Sequence, residues 1–218
     1  MAVGLVLTLV VADGEGEGEE EQDGPPTVAA TPTPEPVQEP SESESPGVSA
    51  APSATPPEGY EVFVDDEGFR IAVPQGWTRS EVESAYGMPV VNYRDADGSH
   101  RLQVFEVAEA SPAASFELFL SEEEFQPKGF RKLALEELDQ GDFAGSRLEY
   151  LADSLRGEPD LGTWHVYDLR FVAADGRVYA LAAYGPDADG RDDELELVTY
   201  ASAWFCPPGA ECSAPLLR

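Results

Sequence analysis

Few side chains in this sequence are equipped for chemistry, and their spacing narrows what chemistry that is. The only two cysteines, Cys206 and Cys212, stand in "FCPPGAEC". Two thiolates fall short of the four ligands of a structural zinc site. The C-x-x-C spacing of a redox pair is absent. Pro207, Pro208 and Gly209 bend the chain between them. The expectation is a local disulfide, formed in an oxidising compartment and pinning the tail after the last helix. Two free thiols, one packed near Trp204, are the alternative.

The acidic run "GPDADGRDDELE" holds Asp187, Asp189, Asp192, Asp193 and Glu194. Asp187, Asp189 and Asp192 make a weak alternative as metal ligands, because D-x-D-G is a fragment of a calcium loop. The full loop needs glycine at its sixth position and glutamate at its twelfth. Gly190 is instead fourth when Asp187 is counted first. A turn followed by acids at a helix N-terminus accounts for the run, so no metal is expected. Asp95 and Asp97 in "RDADGSHR" read as a hairpin loop, with His100 near the bend and expected in solvent. His165 lies in a strand beside Trp164 and Tyr167. No G-x-S-x-G elbow accompanies it, and Ser146 falls inside a strand, where a strained nucleophile turn cannot form. With 43 acidic side chains some carboxylate pairs meet by chance, so such pairs are no argument for acid–base catalysis. No catalytic residue and no cofactor are expected. Trp77, Tyr86, Tyr93, Trp164 and Tyr184 could line a pocket, but aromatic residues at strand and turn positions more readily fill a core.

The chain of 218 residues divides into three segments. Residues 1–12 are apolar. Residues 13–58 contain "GEGEGEEEQDGPP", "TPTPEPVQEPSESESP" and ten of the nineteen prolines, without one aromatic residue. Such a composition buries too little apolar surface to offset ordering entropy, so a disordered, extended linker is expected. Residues 59–218 are expected to fold as one domain. The net charge is −30, and the first 59 residues contain twelve acids and no Lys or Arg. From Tyr60 onward there are 31 acidic and 13 basic side chains, leaving −18 on the domain. That balance repels nucleic acid phosphates and anionic lipid headgroups, so neither is an expected partner.

Within the domain, "YEVFVDDEGFRIAVPQGW" reads as two strands about a turn at Gly68, with Phe69, Ile71 and Val73 alternating. "PVVNYRDADGSHRLQVFEV" is a second hairpin, bent near Asp97-Gly98. "SPAASFELFLSEEEF" switches to helical spacing, with Ser111 as N-cap, Pro112 in the first turn, and Phe116, Phe119 and Leu120 on one face. "FRKLALEEL" and "FAGSRLEYLA" flank "DQGD"; "TWHVYDLRFVA" and "RVYALAAYG" flank "ADG". In the third of these strands His165, Tyr167, Leu169 and Phe171 share a face. A last helix begins near Arg191 and places Leu197, Ala201 and Trp204 along one side. The order is four strands, helix, four strands, helix. It predicts an α+β domain with an antiparallel sheet of about seven or eight strands and two main helices.

"DDEGFRIAVPQGW", "VVNYRDADGSHRLQVFEV", "FAGSRLEYL" and "DLRFVAADGRVYALAAYGP" before a terminal helix form a pattern. It resembles the extracytoplasmic sensor-like domains that follow the membrane span of many actinobacterial serine/threonine protein kinases and related membrane proteins. It is also similar to the PsbP-like α+β fold of LpqN-type lipoproteins. The resemblance covers roughly Tyr60 to Phe205, and its motifs are structural: a glycine turn, a "VPxGW" corner and a strand pair. It implies a PsbP-like fold and a non-catalytic role in sensing or interaction. The partner would be an extracytoplasmic ligand or an envelope protein. The chain contains no HRD, DFG or VAIK and no glycine-rich loop after a strand, so the resemblance implies the tail of such a kinase without the kinase.

The opening "MAVGLVLTLVV" bears on placement. Eleven helical residues at about 1.5 Å each cover roughly 17 Å, little more than half of a bilayer core of about 30 Å. The positively charged start of a signal peptide is missing. The expectation is the outer part of a transmembrane helix, tethering the protein to the cell membrane with everything after about residue 13 outside. A secreted hydrolase of unrecognised type and a structural envelope domain without ligand are the competing readings.

Overall fold

The structure is a computed structural model, and it describes residues 55–140 and 143–213. The apolar segment, nearly all of the linker and Gly141 and Asp142 of "DQGD" lie outside the described residues. Among the described residues no helix is long and apolar enough to cross a membrane.

The first hairpin forms where its alternation demands. Strands β1 (Tyr60–Val64) and β2 (Arg70–Pro74) pair antiparallel about a turn in which Gly68 takes φ 85°, a value that favours glycine. This ribbon stands apart from the main sheet. Asp65, at its turn, ties the two together. Its buried carboxylate accepts hydrogen bonds from Arg79 Nε (2.7 Å) and Nη2 (2.9 Å), from the Glu67 amide (2.9 Å) and from the Tyr93 hydroxyl. Burial alone would raise this carboxyl's pKa, but the bonds from Arg79, Glu67 and Tyr93 outweigh burial and hold it below the usual range.

Seven strands make the main sheet: β3 (Thr78–Val82), β4 (Val90–Arg94), β5 (Arg101–Val107), β6 (Arg131–Gln140), β7 (Phe143–Ala152), β8 (Trp164–Val172) and β9 (Val178–Pro186). Their order is β3-β4-β5-β9-β8-β7-β6, and every neighbouring pair is antiparallel. Five strands therefore precede the first helix, not four. The additional one, β3, is "TRSEV" at the sheet edge, where exposure removes any need for apolar alternation. The last strand, β9, lies in the middle, between β5 and β8.

Period-two alternation divides the side chains between two faces. On β8, His165, Tyr167, Leu169 and Phe171 point to the first face, while Trp164, Val166, Asp168 and Arg170 point to the second. On β9, Tyr179, Leu181 and Ala183 join the first face, and Ala182 and Tyr184 the second. Helix α2 (Asp192–Trp204) covers the first face with Leu197, Val198 and Ala201, and the first hairpin adds Ile71 and Val73 of β2 and Phe69 just before it. Helix α1 (Pro112–Ser121) covers part of the second. It starts as its sequence predicts, with Ser111 accepting from the Ala114 amide at 3.1 Å and Pro112 in the first turn. With both faces sheltered, β8 and β9 are buried almost without interruption.

After α2 the chain turns back on the ribbon. Cys206 and Cys212 are joined in a disulfide, as expected. The backbone of Cys206 exchanges two hydrogen bonds with Arg70, at 2.8 and 2.9 Å. The Arg70 guanidinium donates to the carbonyls of Trp204 (3.3 Å) and Cys212 (3.2 Å). The cross-linked loop is thus stitched to β2.

Candidate ligand-binding site

Helix α1 is only ten residues long and packs on β7 and β8. The rest of the second face, towards β5, is left without a helix, and a cavity of about 540 Å³ opens there. Strands β5, β9, β8 and β7 form its floor; α1, the segment through Lys128 and the loop after β7 form its walls. Its volume is that of a site for a small molecule. Phe119, Leu118 and Phe105 supply apolar wall, while Arg101, Asp168 and Arg170 bring charge into a largely buried place.

Each charge is held in position. Asp168 and Arg170 are two residues apart on β8 and so share a face; Arg170 Nη2 donates to Asp168 Oδ2 at 2.8 Å. Arg170 Nη1 donates to Ser115 Oγ at 2.6 Å, and its guanidinium lies 4.1 Å from the Phe116 ring centre. Arg101 stacks 3.9 Å above the Tyr184 ring and pairs with Glu158, which also takes two bonds from Arg94 at 2.5 and 2.7 Å. Burial would raise the Glu158 carboxyl, but Arg94 and Arg101 outweigh it and hold its pKa low. Nε of Arg101 is buried without a hydrogen-bond partner. Burial pushes the Tyr150 phenol well above its ordinary pKa and raises that of Tyr184, so both stay protonated at neutral pH. Tyr184 donates to Gln103 Oε1 at 3.2 Å. The arrangement can hold an amphipathic molecule and orient its polar end.

Of the aromatic residues singled out from the sequence, Tyr184 lines the cavity. Trp164 and Tyr93 are core residues, Tyr86 is exposed, and Trp77 borders a smaller hollow near His100. Arg101, Asp168 and Arg170 were missed. A signal existed for two of them: opposite charges at alternate positions of the otherwise apolar "WHVYDLRFV".

His165, by contrast, is fully buried on the first face, with Glu194 Oε2 at 3.0 Å from Nδ1 and Glu149 Oε1 at 3.2 Å from Nε2. His100, expected in solvent, is three-quarters covered. Of the acidic trio, Asp187 accepts from Arg191 Nε at 2.8 Å, and Asp192 is exposed on the first turn of α2. Only Asp189 approaches His100, together with Asp193 and Glu194.

The family profile described as serine/threonine kinase C-terminal domain matches residues 61–207, more than half of the chain. Comparison with curated proteins finds no match. The chain is similar to the solution structure of cyanobacterial PsbP (CyanoP) from Synechocystis, with TM-score 0.49 and 17% identity over 74% of this chain and 96% of that one. It is also similar to LpqN of Mycobacterium tuberculosis, a protein involved in cell envelope biogenesis, with TM-score 0.39 and 17% identity over 67% of this chain and 89% of that one. Both scores lie below 0.5, and the family assignment stands on the profile match.

Proposed function

Because this chain belongs to the family of serine/threonine kinase C-terminal domains, we propose that it is a non-catalytic, extracytoplasmic sensor domain that binds a small amphipathic ligand. The observation that carries this reading is the cavity of about 540 Å³ over β5, β9 and β8, with apolar walls and fixed charges at Arg101, Asp168 and Arg170. The apolar segment 1–12 tethers the protein to the membrane, and the acidic linker 13–58 holds the domain away from the surface. The disulfide favours an oxidising compartment.

A fragment library screened against the labelled chain by two-dimensional NMR tests the binding site. Hits should shift Gln103, Phe119 and Tyr184 together and should be lost in Leu118→Trp, which fills the cavity. Hits scattered over the surface, or unaffected by the filling, would overturn the assignment. Protease added to intact cells tests the placement: cleavage in the linker is expected, and full protection would refute it.

A further inference from the structure

We propose that His100, Asp189, Asp193 and Glu194 form a binding site for a first-row divalent cation of the zinc class, on the sheet face opposite the cavity. One donor atom from each of the four residues lies within 4.8 Å of the others. They come from two places: the loop before β5 supplies His100, and the β9–α2 connection with the first turn of α2 supplies the three acids.

Two of the donors are buried and unpartnered. Glu194 is 1% exposed; its Oε2 is engaged by His165 Nδ1, but its Oε1 has no hydrogen-bond partner. Nε2 of His100 lies 2.9 Å from Asp193 Oδ2 and 3.5 Å from Asp189 Oδ2, yet neither oxygen is in hydrogen-bonding direction, and this buried nitrogen too is unpartnered. Buried polar atoms in that condition are rare and point to something that completes them.

Both inner ligands also carry the outer support that metal sites require. Asp95 Oδ2 sits 2.9 Å from His100 Nδ1 and orients the ring so that Nε2 faces the acids. Buried His165 fixes Glu194 in the same way. Gly185, on β9, leaves the space in which the two meet: a Cβ there would overlap Glu194 Oε1 and lie 2.9 Å from His100 Cδ2. Among the described residues no Lys or Arg pairs with Asp189, Asp193 or Glu194; Arg191 is turned instead to Asp187 and Glu149. Three carboxylates therefore converge on the His100 ring with no Lys or Arg among them. A hollow of about 270 Å³, lined by His100, Asp193 and Trp77, gives access from solvent.

The donor set selects the ion. An imidazole nitrogen disfavours Ca²⁺ and Mg²⁺, which take oxygen, and the lack of a thiolate disfavours soft ions. Four N and O donors suit tetrahedral Zn²⁺, whose ligands at about 2.0–2.1 Å stand roughly 3.3 Å apart. The spacings of 2.9 and 3.5 Å between Nε2 and the two aspartates bracket that value. A bound ion would join the β4–β5 loop to the start of α2.

Calorimetric titration of the metal-free full chain with Zn²⁺, and with Co²⁺ for its visible spectrum, tests this. One saturable site is expected, with the absorption of four-coordinate cobalt and far weaker binding of Ca²⁺ and Mg²⁺. His100→Gln should abolish it. Asp193→Asn, an exposed change that spares the fold, should weaken it at least about tenfold, as should Asp95→Asn through the ring it orients. Asp192→Asn should leave it unchanged, since that side chain lies outside the cluster. Absence of a saturable site, survival of binding in both His100→Gln and Asp193→Asn, or equal affinity for Ca²⁺ would overturn the proposal. A ligand missing from the cavity would leave it untouched.

Discussion

Reducing the Cys206–Cys212 bond removes a constraint whose effect can be worked out. The bridge spans a sequence separation of six. Closing so short a loop lowers the entropy of the unfolded chain by an amount equivalent to about 2 kcal/mol at room temperature. For a domain of this size that corresponds to a fall in melting temperature of roughly 4 to 8 °C. A second loss follows from the geometry. The Arg70 guanidinium donates to carbonyls on both sides of the loop, those of Trp204 and Cys212, and the Cys206 backbone pairs with Arg70. Once the loop is free, the bond to the Cys212 carbonyl loosens, while the pairing at Cys206, itself buried, persists. Urea denaturation of wild type, Cys212→Ser, Arg70→Gln and the double variant measures these separately. The cycle should show Arg70→Gln costing less in the Cys212→Ser background than in wild type, by about 0.5–1 kcal/mol. Strict additivity would refute the coupling between the clamp and the cross-link. A cost for Cys212→Ser well under 1 kcal/mol would refute the loop-closure argument itself.

Other perturbations have equally definite outcomes. Arg79→Met leaves the buried Asp65 carboxylate with only Tyr93 and the Glu67 amide, and denaturant melts should show a loss of about 3 kcal/mol. Because the folded pKa of Asp65 lies below its unfolded value, its contribution to stability is full above that unfolded value, about pH 4, and is lost as pH falls through the folded one. The denaturation midpoint should therefore fall more steeply below about pH 4 in wild type than in Asp65→Asn. Phe116→Ala removes a side chain that is 1% exposed and underlies Arg170, and should cost about 3–5 kcal/mol by thermal or chemical melting. Gly185→Ala should lower both stability and zinc affinity, because its new methyl overlaps Glu194 Oε1.

What was legible in the sequence was what is local. The Gly68 turn, the Ser111 cap, the shared face of His165, Tyr167, Leu169 and Phe171, and the short disulfide all rest on residues a few positions apart, where backbone geometry acts directly. Strand β3 escaped notice because an edge strand with exposed side chains needs no apolar period. The candidate sites escaped for a different reason. Arg101 meets Tyr184, and His100 meets Glu194, only because β5 and β9 are hydrogen-bonded neighbours. No propensity or spacing encodes that pairing. The charges of Asp168 and Arg170 in an apolar strand were visible, but not the cavity they face.

The central position of β9 has a consequence for how the domain can form. Strands β3 to β5 can assemble as they emerge, and so can β6 to β8, but the two groups share no edge until β9 is inserted between them. β9 pairs with β8 as a local hairpin, but its pairing with β5 joins residues far apart in the chain, and such closures are slow. During synthesis the chain therefore waits, with the edges of β5 and β8 open, until Pro186 has emerged. Premature termination between β8 and β9 leaves two unpaired half-sheets rather than a smaller version of the domain, and their exposed edges are the natural point of attack for chaperones and proteases.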